Sequence, residues 1–425
     1  MNYTNSLQFA IEQDALDLLK GLRDQFLIPK HNGEDVIYLC GNSLGLQPKS
    51  ARHYINEQLN KWEDLAVEGW FQGDDSWLTY HKQLLPALAA IIGAQENELT
   101  IMNSLTVNLH LLLVSFYKPT NKRFKIIMEG GAFPSDQYAV ESQVNFHGFN
   151  LNDAVVEIFP REGELTLRTE DIVNVIEKHG KELALVLFSG INYYTGQFFD
   201  LEAITTAAHR EGAYAGFDLA HAAGNVPLKL HDWGADFACW CSYKYLNAGP
   251  GGISGIYVNE KHFTNKQLSR FAGWWGYKAD KRFLMKPGFD PAIGAEGWQV
   301  STSPIMLLAM FKAALAIFTD AGDIMIIQKK SIAMTGFLEF LINDINQQIG
   351  NQVLKIITPS NPLKRGCQLS IVCTRNAKAV FEYLTSNGVI SDWREPDVIR
   401  LSPVPLYNTF QDVYNAAKYL REALC

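Results

Sequence analysis

Tyr214-Ala215-Gly216-Phe217-Asp218-Leu219-Ala220-His221, then Phe237-Ala238-Cys239-Trp240-Cys241-Ser242-Tyr243-Lys244-Tyr245 with Gly249-Pro250-Gly251-Gly252 behind, is the stretch whose reading decides the fold. Two apolar segments each end in residues that carry chemistry: Asp218 and His221 after the first, Ser242, Tyr243 and Lys244 after the second. Read as neighbouring strands, they bring Asp218 and Lys244 to the C-terminal edge of an open α/β sheet, where such sheets bind ligands.

An acid at one strand end, a lysine after the next and glycines behind them suit a lysine held as a Schiff base with pyridoxal phosphate (PLP). The amine of Lys244 is placed to form the imine, and burial beside an aromatic wall favours its neutral, nucleophilic form. A carboxylate must face the pyridine nitrogen if the ring is to remain a protonated electron sink, and Asp218 is placed for that. Glycines after the lysine let the backbone pass close to the cofactor with no Cβ in the way. Each element alone has a plainer reading, Asp218 as a helix cap and Lys244 as a solvated surface group. Their combination in one short window outweighs those readings.

Working outward, helical and strand patterns alternate as in a doubly wound sheet. A helix is expected over Asp14 to Phe26. The Leu-rich periodicity from Ser104 to Tyr117 predicts another, whose start at Ser104 to Thr106 has free backbone N–H groups suited to a phosphate. Lys125 to Glu129 reads as a strand, Gly130-Gly131 as a turn, and Pro134 to Val144 as a helix with proline in its first turn. Phe133 then stands at a strand-to-helix junction. Leu183 to Phe188 reads as the next strand, ending at Ser189, and Leu201 to Glu211 as a helix. Ser189, Asp218 and Lys244 therefore share one sheet edge and make a pocket. A long apolar helix over Pro304 to Thr319 leads to a C-terminal α+β unit, with strands at Gln368 to Cys373 and Val398 to Leu401 and helices at Ala377 to Asn387 and Phe410 to Ala423. The domains are placed at residues 61–303 for the large cofactor-binding domain, with 1–60 and 304–425 as N-terminal segment and small domain.

Composition narrows the class. The 425 residues are 47% hydrophobic, enough for a sizeable core. A net charge of −8 argues against a nucleic-acid-binding surface. Apolar runs such as Leu111 to Phe116 are too short to span a bilayer, and a cytoplasmic protein is expected. The six cysteines, Cys40, Cys239, Cys241, Cys367, Cys373 and Cys425, lack metal-ligand spacing and are read as reduced and structural, with no metal expected.

The run Gly216 to Asn225 and the run His231 to Gly249, read together, closely resemble the kynureninase family. The resemblance extends to Gly41-Asn42-Ser43-Leu44-Gly45-Leu46-Gln47-Pro48, to Asn103 to His110, to Phe133 to Gln143 and to Pro403-Val404-Pro405-Leu406-Tyr407-Asn408, in the family's order along most of the chain. It implies the PLP-dependent transferase fold of type I, α/β with a mostly parallel sheet. It also implies hydrolysis of the Cβ–Cγ bond of L-kynurenine or its 3-hydroxy form to an anthranilate and L-alanine, a step of tryptophan catabolism and NAD biosynthesis.

By that resemblance Lys244 carries the cofactor, Asp218 pairs with the pyridinium, His221 lies near the ring or phosphate, and Phe133 stacks on the ring. Leu105, Thr106, Pro134, Ser135, Asp136, Ser189 and Tyr243 line the cofactor, while Trp274 and Thr302 reach the phosphate from the partner of a homodimer. Arg400 grips the substrate α-carboxylate, a bidentate task suited to a guanidinium; Ser43 and Trp70 are further substrate contacts. Tyr243 is a proton donor or relay if a nearby cation lowers its pKa, and a structural phosphate contact otherwise. Where animal members carry Ser-Asn-Pro-Pro and a histidine after glycine, this chain has Ser301-Thr302-Ser303-Pro304 and Gly69-Trp70-Phe71. Losing that asparagine and histidine, which lie near the substrate's aryl ring, favours kynurenine without a ring hydroxyl. Two rival readings remain. A cysteine desulfurase-like lyase of the same fold needs a nucleophilic cysteine on a mobile glycine-rich loop. A silent PLP-fold binding protein would have lost Lys244, Asp218 or Arg400.

Overall fold

Apolar runs that have no wet face can only be buried on both sides, and such runs form the central strands of one seven-stranded sheet. The computed structural model describes residues 2–424. The strands are β1 (Leu99–Ile101), β2 (Lys125–Glu129), β3 (Val155–Ile158), β4 (Leu183–Ser189), β5 (Tyr214–Asp218), β6 (Phe237–Cys241) and β7 (Ser254–Val258). Their spatial order is β1-β7-β6-β5-β4-β2-β3. Both neighbours of β7 pair with it antiparallel, and every other pairing is parallel. Side chains alternate between the two faces: Val186, Phe188, Ala215, Phe217 and Trp240 enter one core, Leu185, Leu187, Phe237 and Cys239 the other. Gly216 is fixed by its neighbour, since a Cβ there would lie 2.0 Å from the Phe237 ring.

Helices cover both faces, as a parallel sheet requires. In chain order they include α1 (Leu7–Leu16), α2 (Leu105–Phe116), α3 (Pro134–Phe146), α4 (Thr169–His179), α5 (Leu201–Arg210), α6 (Ile305–Ala321), α7 (Ile324–Ile349), α8 (Ala377–Ser386) and α9 (Phe410–Glu422). A second, four-stranded antiparallel sheet holds β8 (Leu354–Ile356), β9 (Leu369–Cys373), β10 (Asp392–Arg394) and β11 (Val398–Leu401), in the order β8-β9-β11-β10. Leu338 of α7, Ile371 of β9 and Val413 of α9 share its core.

Three local expectations change. The helix expected over Asp14 to Phe26 is instead α1, capped by Ser6 and ended at Asp17, with a 3₁₀ turn over Lys20–Gln25. Asp14 is drawn into tertiary structure, its carboxylate accepting from the backbone N–H groups of Phe410 and Gln411 at the start of α9. The long α7 was not expected; it starts afresh after Gly322, whose φ of +79° breaks the run from α6, with Asp323 capping Met325 N–H. The glycines after Lys244 serve a turn, with positive φ at Gly249 and Gly251, and the cofactor-sized cleft is lined without them. Close approach falls instead on Gly45, whose N–H donates to Tyr243 O at 2.8 Å and whose Cβ would lie 2.3 Å from Lys244 O.

Among the described residues no single helix is long and apolar enough to cross a membrane; α6 and α7 pass such a test only as a pair bent by 81°, and much of both is buried in the cores. The five cysteines from Cys40 to Cys373 are unpaired, and Cys425 lies outside the described residues.

Candidate active site

The C-terminal ends of β4, β5 and β6 deliver Ser189, Asp218 and the Tyr243-Lys244 loop to one cleft of about 510 Å³, part of it open to solvent. From the opposite wall come Leu105 and Thr106 in the first turn of α2, and Phe133, Ser135 and Asp136 at the start of α3. Ser104, the N-cap of α2, makes no side-chain cap, so first-turn N–H groups of that helix are available to an anion.

Lys244 Nζ lies 2.9 Å from His221 Nε2 and 5.7 Å from the centre of the Phe133 ring. Phe133 is 40% exposed, a large apolar face presented to the cleft rather than spent in the core. His221 is held well below its usual pKa, first by burial and then by the charges of Lys244, Arg400 and Arg394, so it is neutral. Its Nδ1 is buried without a partner.

Three buried carboxyls stand close together. Asp218 accepts from Ala220 N–H at 2.7 Å, which opposes the upward pull of its burial. Burial raises both carboxyls, Asp136 further than Asp218 because the charge of Asp218 adds to its burial while the Ala220 N–H holds Asp218 back. Glu129, the last residue of β2, accepts from Ser189 N–H at 3.0 Å and from the Ser189 hydroxyl; burial lifts it to about 7. The cleft thus gathers an amine, a buried acid, an aromatic face and two helix starts. This donor set fits the PLP that the sequence implies.

Tyr243 is placed as expected but its chemistry differs. Burial, followed by the neighbouring Cys241 and Asp218, raises the phenol instead of lowering it. No compensating cation is close enough to reverse the sign.

The chain resembles known proteins over its whole length. Its residues 327–420 match the kynureninase C-terminal domain family. It is 53% identical to the kynureninase of Flavobacterium psychrophilum over 424 residues, covering 100% of this chain and 99% of that one. The chain belongs to the kynureninase family. The Myxococcus xanthus kynureninase is 51% identical over 98% of this chain and 97% of its own, and that of the sea anemone Nematostella vectensis 47% over 98% and 94%. Among solved structures, a C-DES mutant with glycine covalently linked to its PLP cofactor superposes with a TM-score of 0.75 at 18% identity, covering 91% of this chain and 96% of that one. The cysteine desulfurase of Thermococcus onnurineus gives 0.74 at 18%, covering 91% and 94%. The chain therefore has the type I fold of PLP-dependent enzymes, as expected.

Other residues named from the sequence lie outside this cleft. Pro134 is the first residue of α3. Arg400, 1% exposed in β11, sits behind Tyr193, whose carbonyl it binds. Ser43 is exposed in the segment laid against the lysine loop. Trp70 packs edge-on against Trp77 and Trp275 at ring distances of 5.5 and 5.8 Å. Trp274 is 44% exposed with its indole N–H on Arg282 O, and Thr302 is exposed. Sequence reasoning missed Tyr193 and Ile191 on the cleft wall and Glu129 behind Ser189. Nothing in the pattern marks Glu129, which reads as the polar end of a strand.

Proposed function

We propose that this kynureninase family member holds PLP in the cleft through Lys244 and hydrolyses the Cβ–Cγ bond of L-kynurenine to anthranilate and L-alanine. One observation carries the reading: Lys244, Asp218 and Phe133 converge on a single cleft in a chain 53% identical, end to end, to a named kynureninase. Leu105, Thr106, Ser135 and the two helix starts hold the phosphate, Asp218 faces the ring nitrogen, and Phe133 covers a ring face. When bound, PLP supplies an electron sink for negative charge developing at the substrate's Cα and Cβ.

The remaining work falls to side chains. Lys244 carries the proton to and from the substrate carbon. Neutral His221, 2.9 Å away, accepts a hydrogen bond from that amine and keeps it aimed. Tyr243 keeps its phenolic proton because of burial, and so serves as a hydrogen-bond contact to the phosphate. Arg400 receives the α-carboxylate, and water adds to the γ-carbonyl before the carbon–carbon bond breaks.

Trp274 and Thr302 complete the phosphate site of a second copy in a homodimer. Support comes from the surface cluster of half-exposed Trp274, Phe71 and Phe283, whose rings lie 5.4 to 6.0 Å apart; patches of that kind mark interfaces. Mass in solution, against 47.7 kDa for one chain, tests this. A reducing cytoplasmic setting accords with the five unpaired cysteines.

The desulfurase alternative needs an accessible thiolate. Cys241, on the cleft wall, is buried and lifted to about 11 by that burial, the wrong direction for a nucleophile.

With Trp70 and Thr302 in place of imidazole and carboxamide, neither of those two partners awaits a ring hydroxyl. The holoenzyme is expected to favour L-kynurenine over 3-hydroxy-L-kynurenine in kcat/KM by about tenfold or more, the scale of one missing polar contact. A ratio at or below one removes the ring preference.

A further inference from the structure

The guanidinium of Arg400 is anchored before any substrate arrives. Strands β10 and β11 pair antiparallel with Asp392 directly opposite Arg400, so the two side chains share a face at the distance where opposite charges meet. Arg400 Nε donates to Asp392 Oδ1 at 3.0 Å, with Nη2 2.7 Å from the same oxygen, and Nη1 donates to the backbone carbonyl of Tyr193 at 2.5 Å. Both members of the pair are buried, the side chains 1% and 9% exposed. A guanidinium has five N–H donors in a rigid fork. The Asn42 carboxamide oxygen lies 3.3 Å from Nε and Nη2 and shares that edge with Asp392, while Nη1 keeps one N–H beyond its bond to Tyr193.

Asp392 also holds a second cation. Arg394 Nε lies 3.0 Å from Oδ1, and its guanidinium sits 5.9 Å from the centre of the Tyr193 ring, a residue of the cleft wall. Two arginines around one carboxylate leave the cluster one positive charge in excess, close enough to the cleft to act on His221. An incoming carboxylate would bring it to neutrality.

We propose that Asp392 is a positioning residue for the substrate's α-carboxylate: it clamps one edge of Arg400, shares its charge with Arg394, and so presents the remaining N–H of Arg400 in one orientation. The inference rests on the reading above that Arg400 binds that carboxylate. Binding energy gained without reordering a long side chain is the benefit of such a clamp.

The test compares the holoenzyme with its Asp392→Ala, Asp392→Asn and Arg400→Lys variants. Turnover of L-kynurenine gives KM and kcat. The change in cofactor absorbance on adding the decarboxylated amine analogue reads binding that uses no carboxylate. Asp392→Ala is expected to raise KM about ten- to a hundredfold, the scale of a lost charge-assisted hydrogen bond, with a much smaller change in kcat. Asp392→Asn keeps an acceptor and should recover part of the loss, while the amine analogue binds all variants alike. If Asp392→Ala does not fold, Asp392→Asn decides: a raised KM with unchanged amine binding supports the clamp, and an unchanged KM overturns it. Equal losses for kynurenine and the amine also overturn it, as that is what general structural damage would do. A raised KM in Arg400→Lys with no effect at Asp392 removes the clamp and leaves the Arg400 reading standing; no effect at either position removes both.

Discussion

Burial pushes both Asp136 and Asp218 upward, Asp136 further, and the charge kept on Asp218 bears on the chemistry of the cleft. The Ala220 N–H favours the ionised form of Asp218, while Asp136 has burial and a neighbouring anion against it. Asp218→Asn removes the charge that would face the pyridine nitrogen. The expected result is a kcat lower by about 10²–10³, the scale of one lost electrostatic contact in a buried site, with weaker PLP retention on dialysis. An unchanged kcat would mean that another group protonates the ring. Asp218, Lys244 and Phe133 were legible because each follows an apolar run at a point where the chain must leave the sheet. Tyr243 was placed correctly and its pKa direction was not, since a phenol's environment depends on neighbours such as Cys241 and on burial depth. Glu129, Tyr193 and Asp392 were invisible for the same reason: each matters through a partner 60 residues away (Ser189), 207 residues away (Arg400) or across a strand pair.

At the scale of elements, the strands were read well because near-continuous apolar runs admit few other structures. Helix limits were read less well where a side chain is used elsewhere, as Asp14 is in capping α9. A comparable device ties α5 and β5 to the start of β6. Asp236, 1% exposed, accepts from Ala215 N–H at 2.7 Å and lies 2.8 Å from each of His209, His262 and Lys261. Burial alone would raise this carboxyl, but hydrogen bonds from the two histidines and the Lys261 charge outweigh it and hold the folded pKa far below the usual range. A depressed carboxyl stabilises the fold above its unfolded pKa of about 3.9, and that contribution is lost as pH falls below it. Asp236→Asn is therefore expected to cost about 1–3 kcal/mol near neutrality, because it removes the charged acceptor shared by Ala215 N–H, His209, His262 and Lys261. The melting temperature of the variant should also fall less steeply than that of the parent between about pH 5 and pH 3. Parallel acid limbs would show that Asp236 does not govern acid stability.

At the scale of the molecule, the sequence carried the type I fold and the family because its motif blocks run in order along nearly the whole chain, and the C-terminal match at residues 327–420 falls where Arg400 lies. What it carried poorly was the join between the two sheets. The break at Gly322 between α6 and α7 depends on one left-handed residue inside an otherwise continuous apolar stretch. The same join places β10 and β11 against the cleft wall at Tyr193, so that Arg400 of a small antiparallel sheet bonds a residue of a cleft built on a parallel one. If Lys244 in this cleft drives the cleavage of L-kynurenine, the yield of alanine and anthranilate from the PLP-reconstituted protein must depend on it, and the comparison with Lys244→Ala reads that dependence. Equimolar release of both products by the parent, and none above background by a folded variant, is the predicted result. No cleavage by the parent, or undiminished cleavage by the variant, would contradict it.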